Sequence, residues 1–117
     1  MKLLKAFVRT SRVDGIVRAL EEAHAPGITV SRCHGVGYGY DPMLFTLSPR
    51  ELARTPEVTK VEVVCRSEDV DRLLGVLVQA ARTGTRGDGI VFVTPVERAV
   101  RIRTGEEGDK TLVSNDA

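Results

Sequence analysis

The sequence predicts a single α+β domain of βαββαβ order. Three observations carry this: four short apolar runs of strand length, two stretches with apolar residues at helical spacing, and an order in which each helix joins two strands. Lys2 to Val8 is the first apolar run, and the hydroxyls of Thr10 and Ser11 are suited to capping the helix that follows. In that helix Val13, Ile16, Val17 and Leu20 form one stripe while Arg18, Glu21 and Glu22 fall on the wet side, and Pro26-Gly27 stops it. Ile28 to Cys33 alternates with β-branched enrichment and predicts a second strand that reaches Gly35-Val36-Gly37. Val58 to Cys65 is the third strand, with Val61, Val63 and Cys65 on one face and Lys60, Glu62 and Val64 on the other. Ser67 is the predicted cap of a second helix, whose Val70, Leu73, Leu74, Leu77 and Ala81 repeat at helical spacing. Ile90 to Val93 is the fourth strand, and Val96 to Arg103 reads as a further extended segment. Right-handed closure of both strand-helix-strand halves puts the two helices on one face of a four-stranded antiparallel sheet, the ferredoxin-like arrangement. The other sheet face is left open, which predicts a homo-oligomer.

The 117 residues suit one domain, and no linker divides them. With 17 basic and 16 acidic side chains the net charge is +1, so any anion site must be local, and direct nucleic-acid binding is not expected. The N-terminus lacks the continuous apolar stretch of a secretory signal, and the apolar runs are strand-sized, so a cytoplasmic protein without membrane insertion is expected. Cys33 and Cys65 have neither CxxC spacing nor a partner histidine pattern; two buried, reduced thiols are the simple reading, and no metal site is expected.

Three features bear on function, each with a plainer alternative. The run Thr83-Gly84-Thr85-Arg86-Gly87-Asp88-Gly89 could turn backbone N–H groups onto an anion, or merely connect a helix to a strand. Arg101-Ile102-Arg103, if extended, places two guanidinium groups on one side roughly 6.6 Å apart, a span that suits two phosphates of one nucleotide; otherwise they are solvated cations. Gly35-Val36-Gly37 lets a purine or ribose approach the backbone, or marks a bulged strand end. Between Tyr38 and Glu57 lie three prolines and the apolar side chains Met43, Leu44, Phe45 and Leu47 with no sustained period, a loop of the length usually kept for function.

These residues, with Thr29-Val30, Lys60-Val61-Glu62 and the run from Val96 to Gly108, resemble the PII signal-transduction family over nearly the whole chain. The resemblance implies a homotrimer with adenine-nucleotide sites between subunits, built from Thr29, Gly35, Val36, Gly37, Glu62, Val64, Thr83, Gly87, Asp88, Gly89, Arg101 and Arg103. It implies a domain over residues 1–104 with a mobile loop at 38–57, and a flexible tail over 105–117. Tyr38, Tyr40, Met43, Leu44, Phe45 and Leu47 would meet a protein target, with a membrane transporter among the candidate partners. Classical members have lysines where this chain has Ile90 and Val58, and an Arg-Gln pair where it has Tyr38-Gly39. The departures weaken the grip on outer phosphates, so ADP or AMP is expected over ATP, with magnesium and 2-oxoglutarate use in doubt. No cofactor beyond this regulatory ligand is expected. The alternative is a trimeric metal-tolerance protein like the CutA group, drawing on Cys33, His34 and Cys65. An enzyme is not expected, because no Ser/His/Asp, Cys/His or HExxH arrangement is present.

Overall fold

A computed structural model of the chain describes residues 1–35 and 57–113. It contains β1 (Lys2–Arg9), α1 (Val13–Glu22), β2 (Thr29–His34), β3 (Glu57–Cys65), α2 (Val70–Ala81) and β4 (Gly89–Pro95). The strands form one sheet in the order β2-β3-β1-β4, and every pairing is antiparallel. This is the ferredoxin-like order, and it follows from the predicted sequence of elements. Val36, Gly37 and the loop side chains Tyr38, Tyr40, Met43, Leu44, Phe45 and Leu47 lie outside the described residues. Glu57, read from sequence as the last loop residue, instead opens β3 opposite His34.

Alternation along the strands decides what the helices cover. Leu4, Ala6 and Val8 of β1 and Val61, Val63 and Cys65 of β3 are buried against Ile16 and Leu20 of α1 and Leu73, Leu77 and Ala81 of α2. Full burial of a leucine contributes about 1.5–3 kcal/mol, so these two helical stripes fix which face each helix presents to the sheet. The opposite face carries Leu3, Phe7, Val64, Ile90 and Phe92, all half-buried. Phe7 and Phe92 meet edge to face with ring centroids 6.4 Å apart. Charges lie beside them, with Glu62 4.0 Å from Lys5 and 3.5 Å from Lys60.

The helix ends differ from expectation. Neither Thr10 nor Ser11 caps α1, and Ser67 does not cap α2; both helices are entered through 3-10 turns, Thr10–Arg12 and Ser67–Asp69, without a side-chain cap. Longer-range partners take the hydroxyls instead. Thr10 Oγ1 and Thr59 Oγ1 are 2.9 Å apart, which satisfies the otherwise buried Thr59, and Ser67 Oγ accepts from the Met1 ammonium at 3.3 Å. Pro26-Gly27 is likewise not where α1 stops. His24 adopts a left-handed conformation (φ 63°), its N–H donates to the Glu21 carbonyl, and the Ala25 N–H donates to the Leu20 carbonyl. This is a Schellman closure with histidine where glycine is usual.

Candidate functional site

Two clusters, each organised by an arginine, hold the predicted site residues that the structure describes, apart from Gly35 and Arg103. The first is the turn from α2 to β4. The Thr83 and Gly84 N–H groups each donate to Asp88 Oδ2 at 2.8 Å, and the Thr83 hydroxyl donates to Oδ1. Arg9, at the end of β1, approaches Asp88 Oδ1 through Nε at 3.5 Å and donates through Nη2 to Thr85 Oγ1 at 3.2 Å and to the Arg86 carbonyl. The Thr83 hydroxyl bond, the two backbone N–H groups and Arg9 together hold the Asp88 carboxyl well below the usual carboxylate range, against the opposing effect of desolvation. The glycine turn does gather N–H groups on an anion, and for Thr83 and Gly84 that anion is the chain's own carboxylate. Gly84, Gly87 and Gly89 all have positive φ. At Gly89 a Cβ would lie 1.9 Å from the Phe7 carbonyl oxygen, so the close approach of β4 to β1 admits no side chain there.

The second cluster is a cleft of about 620 Å³ on the open side of the sheet, lined among others by Thr29, Glu62, Val64, Arg101 and the Thr111–Val113 segment. Thr29 stands opposite Glu62 across β2 and β3, which brings three of the predicted residues into one short stretch of sheet. Arg101 closes the cleft from the C-terminal side. Its backbone sits in a tight reversal, where its N–H donates to the Glu106 carbonyl, the Gly105 N–H donates back to the Arg101 carbonyl, and Val100 bridges Glu107. The extended geometry expected for Arg101-Ile102-Arg103 is therefore not adopted. Residues 102–104 form a turn made possible by Gly105 at φ 74°, Ile102 is fully exposed, and Arg103 lies in the exposed part of that turn. Val96 to Arg103 is for the same reason not a continuous extended segment.

The Arg101 guanidinium is about one-fifth exposed, and among the described residues it pairs with the Glu106 carboxylate at 3.9 Å. Its Nη2 donates to three backbone carbonyls, those of Lys110 (3.3 Å), Thr111 (3.2 Å) and Val113 (2.7 Å). The guanidinium is thus held by three neutral carbonyls and by one long ion pair.

The clusters sit apart on one protomer. Gly35 is buried at the end of β2 that pairs with the start of β3, the same end of the sheet as Arg9 and Gly89. Thr29 and Glu62 align across the sheet with Lys5 and Phe92, three residues along β4 from Gly89. Strand spacing and rise put Thr29 and Gly89 about 17 Å apart. Arg9 escaped the sequence reading, although its place opposite Val58 at the strand end, beside the Val8–Gly89 pair, is the signal that would have found it.

Cys65 is buried and Cys33 only half-buried, so the expectation of two buried thiols holds for one of them. Desolvation first of all pushes both thiols up, which makes them poor nucleophiles. Among the described residues no three His, Cys, Asp or Glu side chains converge to hold a metal ion. No helix among them is long and apolar enough to cross a membrane.

Comparison with known proteins agrees with this architecture. The family model described as nitrogen regulatory protein P-II matches residues 1–106. A nitrogen regulatory protein P-II of Azospirillum brasilense is 41% identical over 114 residues, 96% of this chain and all of that one. Nitrogen regulatory protein P-II 2 of Methanothermobacter thermautotrophicus is 35% identical, covering 96% of this chain and 97% of its own. Among solved structures, Arabidopsis thaliana PII bound to citrate superposes with a TM-score of 0.75 at 30% identity, covering 93% of this chain and 86% of the plant protein. These matches do not favour the CutA-like alternative. With its sheet order, its glycine turn and a family match running from the first residue through the Arg101 reversal, the chain belongs to the PII family of nitrogen regulatory proteins.

Proposed function

We propose that this PII signalling protein binds an adenine nucleotide, ADP or AMP in preference to ATP, and passes that state to a protein target. The observation that carries the reading is the cleft in which Thr29, Glu62 and Val64 stand beside the Arg101 guanidinium, whose ion pair with Glu106 is long at 3.9 Å. A purine on the sheet edge and a phosphate at Arg101 match the two chemistries of its walls. Gly89, about 17 Å from Thr29 by ladder geometry, and Gly35, about 20 Å along β2 from it, are too distant to serve the same ligand from one protomer. A second copy that brings its turn to this cleft completes the site, and the open sheet face with Phe7 and Phe92 supplies the apolar area for a homotrimer. The preference for fewer phosphates follows from Val58 and Ile90, which carry no cation at positions beside Arg9 and Phe7. Thr83 and Gly84 also have their N–H groups committed to Asp88.

On this reading the protein is cytoplasmic, does no covalent chemistry, and acts through the 38–57 loop on a target such as a membrane transporter. Calorimetric titration with ADP, AMP, ATP and cyclic AMP tests it. Micromolar binding of ADP or AMP, weakened about tenfold or more in Arg101→Ala, is the expected result. Binding of none below millimolar concentration overturns the nucleotide assignment.

A further inference from the structure

Ile102 stands at the start of the 102–104 turn with its side chain wholly open to solvent. Backbone hydrogen bonds of Arg101 with Glu106 and Gly105 close that turn, and Arg98 braces its base by donating to Glu107 Oε1 at 2.6 Å. A bare isoleucine on a closed turn is an apolar knob. The fold also holds a hole of matching chemistry. Between α2 and the edge strand β4 lies a cavity of about 140 Å³, floored by the buried Val8, Leu77 and Ala81 and rimmed by Val78 and Val91. An apolar cavity of about 150 Å³ admits a benzene-sized group, so the four carbons of an isoleucine side chain fit this one. Knob and hole cannot meet on one protomer. Ile102 directly follows Arg101 at the cleft, whereas the cavity adjoins Asp88 and Gly89, and Gly89 lies about 17 Å across the sheet from Thr29.

We propose that Ile102 of one copy plugs the α2–β4 cavity of the next. A second copy that brings its glycine turn to the Arg101 cleft also brings the cavity beside that turn to the residue beside Arg101, so one approach makes both contacts. Ile102 is then an apolar anchor that sets the register in which the two halves of the ligand site face each other. Because knob and hole lie on different surfaces of the chain, the contact is heterologous, and repeating it closes a ring. Burial of Ile102 and of the exposed Val78 rim supplies its driving force. This assembly rests on the second-copy reading above and is independent of which ligand the cleft takes.

The test is subunit exchange between two mass-tagged populations of the full-length chain, followed by native mass spectrometry with and without ADP. Ile102→Ser is the first variant; because Ile102 is fully exposed on the protomer, its loss leaves the fold of a single copy unharmed. Exchange about tenfold faster or more is expected, since a leaving copy breaks the contact on both of its sides. Ala81→Leu fills the hole from its floor and is expected to speed exchange likewise, while the double variant exchanges little faster than either single one. Unchanged exchange in Ile102→Ser, or full additivity of the two substitutions, overturns the plug and leaves the cavity to another occupant. A chain that stays monomeric with and without ADP overturns it too, together with the second-copy reading. Failure to bind any nucleotide, with exchange still faster in Ile102→Ser, sinks the nucleotide reading alone and supports the plug.

Discussion

The glycine turn and the Arg101 cleft are both built around one guanidinium from a distant part of the fold, yet they end in opposite states. At the turn, Arg9 meets a carboxylate that also receives two backbone N–H groups and a hydroxyl, all within a loop of seven residues. At the cleft, Arg101 meets backbone carbonyls of a chain end and a carboxylate no closer than 3.9 Å. In the first arrangement the carboxylate is satisfied by its own loop; in the second most of the guanidinium's partners are neutral carbonyls, which are weaker partners than an anion. One of the two is closed on itself, and the other borders the cleft to which the proposed function assigns the ligand.

Substitutions can break this contrast, beginning where the largest effect is expected. Gly89→Ala forces a Cβ to within 1.9 Å of the Phe7 carbonyl at a φ of 109°, so a loss of about 3 kcal/mol or more in urea unfolding is expected, enough to prevent β4 from pairing normally. Gly87→Ala is milder. Its Cβ would stand 2.8 Å from Arg9 Nη2, the end of a flexible side chain, so the loss is about 1–2 kcal/mol. A double-mutant cycle with Arg9→Ala is expected to recover the steric share and leave the cost of the positive φ; full additivity would mean that Arg9 does not pack against the turn. Arg101→Ala is expected to change stability by no more than about 1 kcal/mol while removing most of the nucleotide affinity. A large fall in melting temperature there would make Arg101 a joint like Arg9.

The smallest effect is the acid response of the turn. Asp88 is held below its unfolded value, so its charge stabilises the fold fully above the ordinary aspartate range near pH 4, and that contribution fades as pH falls toward the lowered native value. The urea midpoint of the native protein minus that of Asp88→Asn is therefore expected to be constant above about pH 5 and to shrink on acidification below about pH 4. A difference that grows on acidification would contradict the hydrogen-bonded carboxylate.

What the sequence made legible is what depends on near neighbours. The stripes through Ile16 and Leu20 and through Leu73 and Leu77, and the alternation Val61, Val63, Cys65, are periodic in the chain and buried in the fold for that reason. The hydroxyls of Thr10 and Ser67 were misread because their partners, Thr59 and the Met1 ammonium, are 49 and 66 residues away, and such partners compete with local capping. The Arg101–Arg103 pair looked extended from its alternating pattern, but Gly105 and Gly108, both at positive φ, fold the segment back on itself. For the cleft, Thr29, Glu62, Val64 and Arg101 were named from resemblance and do converge, whereas the part played by Thr111–Val113 had no motif to announce it.

The left-handed His24 has a consequence of its own. A residue with a Cβ in that conformation is about 1 kcal/mol less comfortable than glycine, and the position is exposed. Stability is thus left unclaimed at a helix end where a single change to glycine would recover it. That change would widen the margin available for the destabilising substitutions above without altering a buried residue.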